Sequence, residues 1–191
     1  MTSSATTSTS AFTSAFGASL RRLYFIRFAF AVIWAGLVFA TATMAGPVLT
    51  ALLVVYPLFD AGAVLWQLRA NPDSQRSKAA EWINVVVSVI VAIALGVTST
   101  ISIAAALAVW GAWAIGAGIP QLIAAIRNRR SGGQVPQMLS GGISVFAGSG
   151  FLFQGLQGAD NIAGVAGYAT LGAIFFLVSA IRLSMILRKK A

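Results

Sequence analysis

Residues 47–69 read PVLTALLVVYPLFDAGAVLWQLR, and this stretch decides the fold class. It is apolar almost throughout, carries one carboxylate at Asp60 and stops on Arg69. The run lacks the alternation of a half-buried strand. About 20 helical residues cross a hydrocarbon core of about 30 Å. Lipid also demands that backbone polar groups be satisfied within the segment, which a helix does. The stretch therefore reads as a membrane-spanning helix, with Pro47 in its first turn, where a missing N–H costs nothing.

Five further runs of similar length flank it, at 23–44, 80–98, 101–126, 136–156 and 162–187. Of the 191 residues, 58% are hydrophobic and 9% charged, whereas a soluble domain is about 25% charged. The 13 basic residues fall in clusters that alternate with the spans: Arg21, Arg22 and Arg27; Arg69, Arg76 and Lys78; Arg127, Arg129 and Arg130; Arg182, Arg188, Lys189 and Lys190. Alternate connections (Ala45-Gly46-Pro47, Thr98-Ser99-Thr100 and Gly158-Ala159-Asp160-Asn161) carry no Lys or Arg. Cytoplasmic loops retain Lys and Arg, so both termini are expected in the cytoplasm. The expected architecture is an all-α integral membrane protein of six transmembrane helices. These form three repeated antiparallel hairpins, at about 23–69, 80–127 and 136–187, within one domain over 20–191.

Residues 1–19 are rich in Ser, Thr and Ala and uncharged. They read as a flexible cytoplasmic tail or a short interfacial extension of the first helix. Arg21-Arg22-Leu23-Tyr24-Phe25 resembles part of a twin-arginine export signal. The long apolar run, the interruption by Arg27 and the five spans that follow favour a retained first helix.

The net charge of +9 sits in short clusters beside apolar spans. There it sets topology and attracts anionic lipid head groups, and no nucleic-acid partner is expected. Cysteine and histidine are absent. That removes disulfides, thiol chemistry, histidine-ligated haem and nearly all zinc sites, together with the usual general base. The carboxylates are Asp60, Asp73, Glu81 and Asp160. A non-enzymatic protein without cofactor or metal is expected. Gly132-Gly133 lacks the strand, helix and Lys-Ser/Thr context of a phosphate loop.

Asp60 is the sharpest candidate for chemistry. It lies near mid-membrane depth, where a carboxylate is costly and faces a bundle interior, a cavity or a partner. Tyr56, Asp60, Val64 and Gln67 share a helical face. One reading is a protonatable site, since a low dielectric disfavours the charged form. The other is an ion pair with Arg27 of the first helix. Trp110, Trp113 and Gln121 share a face of helix 4, near Gly116, Gly118 and Pro120; close packing competes there with a broken-helix binding site. Gly141, Ser144, Gly148 and Gly155 form a small-residue stripe for close helix contact, within the monomer or in a homo-oligomer. Gln154 and Asn84 are polar groups able to bridge helices. Asp160 reads as the N-cap of the last helix.

The second helix of each hairpin repeats one plan. An early aromatic (Tyr56, Trp110, Tyr168) is followed one turn later by Asp60, Ala114 or Gly172, and a basic residue (Arg69, Arg127, Arg182) ends the helix. Internal repeats in membrane proteins place sites at the repeat interface. The three-hairpin plan, Trp110–Ile119, Gly141–Gly148 and Gly167–Ile174 resemble the HdeD-type family of bacterial membrane proteins, over about residues 24–187. The first hairpin departs from that pattern at Tyr56-Pro57-Leu58-Phe59-Asp60. The resemblance implies a multi-pass protein of the bacterial inner membrane that contributes to acid or envelope stress resistance. It assigns no functional residues. A small proton or solute transporter using Asp60, Pro57 and the helix-4 Gly/Pro segment is the alternative.

Overall fold

A computed structural model describes residues 3–70, 78–127, 129 and 135–188, apart from the side chains of 3–16, Ala70 and Ala80. Six helices follow in order: α1 (Ser3–Ala40), α2 (Pro47–Ala70), α3 (Lys78–Ile101), α4 (Ile103–Arg127), α5 (Val135–Leu156) and α6 (Ala163–Arg188). Each contains a segment long and apolar enough to cross a membrane, and no strand occurs among the described residues. The chain is a six-span α-helical membrane protein. Arg76, Arg130, Lys189, Lys190, Asp73 and Gly132-Gly133 lie outside the described residues.

The helices are antiparallel neighbours around a ring. Arg27 of α1 meets Asp60 of α2, Thr50 of α2 meets Ser99 of α3, and Gly17 of α1 lies beside Leu187 of α6. Helical basic residues from Arg21 to Arg188, Arg27 excepted, thereby collect toward one end of the bundle, the basic end. The ring's seams alternate. α4 with α5, α1 with α6 and α2 with α3 pack extensively; α3 with α4, α1 with α2 and α5 with α6 touch less. The hairpins defined by the short connections are thus held together chiefly by contacts to the next hairpin.

The α4–α5 seam shows why. Gly111 sits against Gly148 and Leu152, Gly118 against Gly141 and Ser144, and Gly155 against Ala104 and Ala108. A Cβ on Gly111 would lie 2.4 Å from the Leu152 nitrogen, so only glycine admits backbone this close. The seven-residue recurrence keeps these contacts on one face of each helix, as in left-handed pairs crossing at about +20°. Gly116 does not belong to this surface: a Cβ there would meet nothing within 4 Å. Its place is taken by Gly111, seven residues before Gly118.

Three boundaries differ from the sequence reading. α1 begins at Ser3, so the segment read as a tail continues the helix. No Gly or Pro interrupts residues 3–16, and Ser, Thr and Ala are compatible with helix once it is nucleated. Thr98-Ser99-Thr100 is the last turn of α3 rather than a loop, and Ser102 alone separates α3 from α4. The Thr98 and Thr100 hydroxyls donate to the Ala94 and Val97 carbonyls, and Ser102 Oγ caps α4 by accepting from the Ala105 N–H. The cap of α6 is Asn161, whose Oδ1 accepts from Ala163 N–H at 2.7 Å. Asp160 sits one residue too early, after the left-handed turn at Gly158 (φ 78°).

The main core fills the half of the bundle away from the basic end. Trp34, Val38, Leu53, Leu95, Leu107, Trp110, Ile162 and Val165 are almost wholly buried there. Ile162 N–H donates to the Ala42 carbonyl at 3.0 Å, tying the α5–α6 connection to the end of α1. This plugged half forms the floor on which the site is built.

Candidate functional site

The site begins with two charges that the helices place at mid-depth. Asp60 lies 13 residues after Pro47 and 9 before Arg69, or about 20 Å and 14 Å along the axis at 1.5 Å per residue. Arg27 lies 10 residues inside the span that starts at Gly17. Its Nη2 donates to Asp60 Oδ1 at 2.9 Å. The other carboxylate oxygen, Oδ2, accepts from Asn84 Nδ2 at 3.1 Å and from Ser88 Oγ at 3.4 Å. Each of these three partners directs a donor at the carboxylate. The two side chains are 12% and 26% exposed, so the pair is mostly out of solvent. The Arg27 guanidinium also stands 5.2 Å from the centre of the Phe176 ring. Arg27 thus ties α1 to α2 and α6, and Asp60 ties α2 to α3.

An aromatic layer closes the site on the side of the core. Trp34 stacks on Trp110 at 5.3 Å, Trp110 meets Trp113 edge-on at 5.3 Å, and Tyr56 packs against both Trp34 and Trp110. Phe30 stacks on Phe59 at 3.7 Å. Pro57 lacks the N–H that would bond the Leu53 carbonyl. One residue earlier, the Leu52 carbonyl accepts from Trp34 Nε1 at 2.6 Å. Trp34 thus adds a donor from α1 to the turn of α2 that precedes Pro57. Among the described residues, the buried polar side-chain atoms without a partner are Arg27 Nε and Trp110 Nε1, both donors.

Between this layer and the basic end lies a cavity of about 320 Å³. All six helices line it: Arg27 from α1, Tyr56 and Asp60 from α2, Asn84 from α3, Trp113 and Gln121 from α4, Ser140 and Ser144 from α5, and Tyr168 and Phe176 from α6. The Tyr168 hydroxyl lies 2.8 Å from Ser144 Oγ, and Gln121 Nε2 donates to Gln137 Oε1 at 3.2 Å. Asp60, Ala114 and Gly172, the positions one turn after the repeated aromatic, all line the cavity. The pseudo-repeat therefore converges on one volume at the ring's axis.

Several sequence-derived candidates take other places. Gln67 lies outside the cavity lining. Eleven residues bring the helix back to nearly the direction of Tyr56, but they also carry Gln67 about 16 Å along α2 from Tyr56 toward the basic end. Gly118, Gly141, Gly148 and Gly155 serve the α4–α5 seam, and Ser144 faces both that seam and the cavity. α4 continues unbroken through Pro120, so no half-helix terminus points into the site. Trp110 is an interior residue rather than an interfacial anchor. Sequence reading missed Tyr168 and Ser144 as a pair, and Asn84 and Ser88 as partners of Asp60. Spacing of 4 between Asn84 and Ser88 puts them on one face of α3, a signal that gains meaning only when that face is known to meet α2.

Comparison with family models, with curated proteins and with solved structures finds no match for this chain. The geometry alone carries the functional reading.

Proposed function

We propose that this chain is a small, non-enzymatic membrane carrier that takes a small neutral polar group into the cavity beside Arg27 and Asp60. The observation that carries the reading is that all six helices contribute to one cavity at mid-depth whose mixed lining includes a cluster of polar side chains. A bundle that only needed to pack would fill its axis. This one fills only the half away from the basic end. The cavity, blocked on one side by the Trp34–Tyr56–Trp110–Trp113 layer, matches one state of an alternating-access cycle, in which access shifts around a fixed site. Arg27 and Asp60 link four helices, α1, α2, α3 and α6, so they are placed to respond when a ligand competes for their hydrogen bonds.

The location belongs to the same proposal. The Lys and Arg distribution supports a plasma membrane protein with cytoplasmic termini, and anionic lipid is then the partner of the basic end. The HdeD-type resemblance supplies the physiological setting, acid or envelope stress in a bacterium. Loss of the gene with unchanged survival and internal pH under acid challenge would remove that setting and leave the carrier reading intact.

The carrier reading is tested in vesicles of phosphatidylethanolamine and phosphatidylglycerol. Glycerol and urea are followed as entering probes, and a fluorescent monoacylglycerol reports movement between leaflets. Flux of one of these above protein-free vesicles, abolished by Gly172→Leu, is expected. Gly172 lines the cavity, and a Cβ there meets nothing within 4 Å, so the change fills space without a clash. Rates equal to those of empty vesicles for every probe would overturn it.

A further inference from the structure

The α5–α6 seam is among the loosest in the ring, and an apolar groove of about 620 Å³ occupies it. Leu139, Gly142 and Phe146 of α5 and Gly164 of α6 form its outer walls, with the buried Phe151 behind them. Its inner wall is Ile143, Tyr168 and Leu171, the same residues that bound the polar cavity. Cavity and groove are therefore two sides of one partition, at membrane depth, between the axis of the bundle and the surrounding hydrocarbon. Phe146 projects outward and is 85% exposed, so this part of α5 is not covered by the rest of the chain.

The cavity's chemistry limits what its occupant can be. Its charged lining residues are Arg27 and Asp60, already paired at 2.9 Å, so the site is neutral as a whole. A net charge brought to this depth would have no counter-charge and would bear the cost of leaving water. The remaining polar side chains are neutral, among them Tyr56, Tyr168, Asn84, Ser140, Ser144 and Gln121. They suit hydroxyl and carbonyl oxygens. The groove, by contrast, offers almost nothing but hydrocarbon and ring edges.

From this juxtaposition we infer that cavity and groove together form a site for a single-chain amphiphile with an uncharged, hydroxyl-bearing head. A monoacylglycerol is the simplest member of that class. The head occupies the cavity and the chain lies in the groove once α5 and α6 part at the shared wall of Ile143, Tyr168 and Leu171, and entry is lateral, from the bilayer between those helices. Transfer of a chain from bilayer to groove exchanges hydrocarbon for hydrocarbon and gains little. The head's hydrogen bonds therefore set affinity, and the groove sets which molecules can present a head. The inference rests on the carrier reading of the cavity and names its ligand class.

The test uses the full chain in phosphatidylcholine nanodiscs. The probe is monooleoylglycerol with a diazirine in the chain, cross-linked by light and mapped by peptide mass spectrometry, with free glycerol as competitor. Labels are expected on Leu139, Phe146 and Phe151. They should fall about tenfold in Gly142→Phe, which fills the groove, and in Gly172→Phe, which fills the cavity. They should be unchanged in Gly36→Phe, on an exposed face of α1. A Cβ at each of these three glycines meets nothing within 4 Å, so each variant is expected to fold. Labels spread over the lipid-facing surface and indifferent to Gly172→Phe would mean annular lipid only and overturn the inference. So would Gly142→Phe changing the oligomeric state by mass photometry while labelling stays constant, since the groove would then hold a second copy. Glycerol flux that Gly172→Phe stops, without groove labelling, would sink the amphiphile and leave the carrier. Absence of both would sink both.

Discussion

Replacing Gly111 by alanine isolates the energy of the α4–α5 seam. The new Cβ would stand 2.4 Å from Leu152 N and 2.6 Å from the Gly148 carbonyl oxygen. Both are backbone atoms, so no side chain can swing aside, and α5 must retreat by about 1 Å to reach ordinary contact. A gap of that size forfeits up to about half of each dispersion contact along the seam. Overpacking of this kind costs about 1–3 kcal/mol. Alanine also gains about 1 kcal/mol of helix propensity over glycine. Gly116→Ala, on the same helix, receives that gain without the strain, because nothing lies within 4 Å of its Cβ. The difference between the two variants therefore equals the strain alone, about 1–3 kcal/mol. Thermal unfolding in detergent, followed by tryptophan emission, should separate their midpoints by about 2–12 °C, with Gly116→Ala the higher, taking about 2–4 °C per kcal/mol. Midpoints within about 1 °C of each other would refute the close approach of α4 and α5.

Removing one member of the mid-membrane pair, by Arg27→Met or Asp60→Ala, should cost about 3–5 kcal/mol, while the double variant should recover much of that loss; a double-variant cycle in unfolding free energy that shows no coupling would contradict a direct pair. Asn161→Ala is expected to lower stability by about 0.5–2 kcal/mol through loss of the α6 cap, and Asp160→Ala to change it by less than about 0.5 kcal/mol; the reverse order would return the cap to Asp160. Trp34→Phe keeps the ring but removes the donor to the Leu52 carbonyl, for an expected loss of about 1–3 kcal/mol. An unchanged midpoint in the unfolding assay would show that the bond does not brace α2 at Pro57.

Most of the architecture was legible because hydrocarbon is an unforgiving solvent. Length, apolarity and the placement of Arg69 and Arg127 leave little freedom in where helices lie, although Arg182, read as the end of the last helix, lies inside α6, which runs to Arg188. The ion pair was half legible: Asp60 stood out as an anomaly in an apolar run, and Arg27 was named as its partner. That Asn84 and Ser88 complete it depends on which face α3 turns to α2, and the sequence of α3 does not name the helix that its polar face meets. The repeat of Tyr56, Trp110 and Tyr168 pointed to an axis, but nothing in three similar helices says whether that axis is filled or hollow. Small residues were the hardest to assign. Gly111, Gly116 and Gly118 are alike in sequence, yet two face the backbone of α5 and one faces open space. A glycine's role is fixed by its neighbour, which the local sequence does not contain. The cap of α6 went to Asn161 rather than Asp160 for a related reason: Gly158 turns the chain, and that turn sets which of two adjacent side chains reaches the first free N–H.

The alternating seams also bear on how the protein is made. Spans leave the ribosome in order, and neighbours in the chain arrive first. Here the first helix has modest contact with the second and its largest with the sixth. Throughout synthesis, then, α1 waits with much of its packing surface against lipid, held to α2 by the Arg27–Asp60 pair, the Trp34–Leu52 hydrogen bond and the Phe30–Phe59 stack. The costly charges at mid-depth act as an early clasp. They keep the first span in place until the last one arrives and shuts the ring.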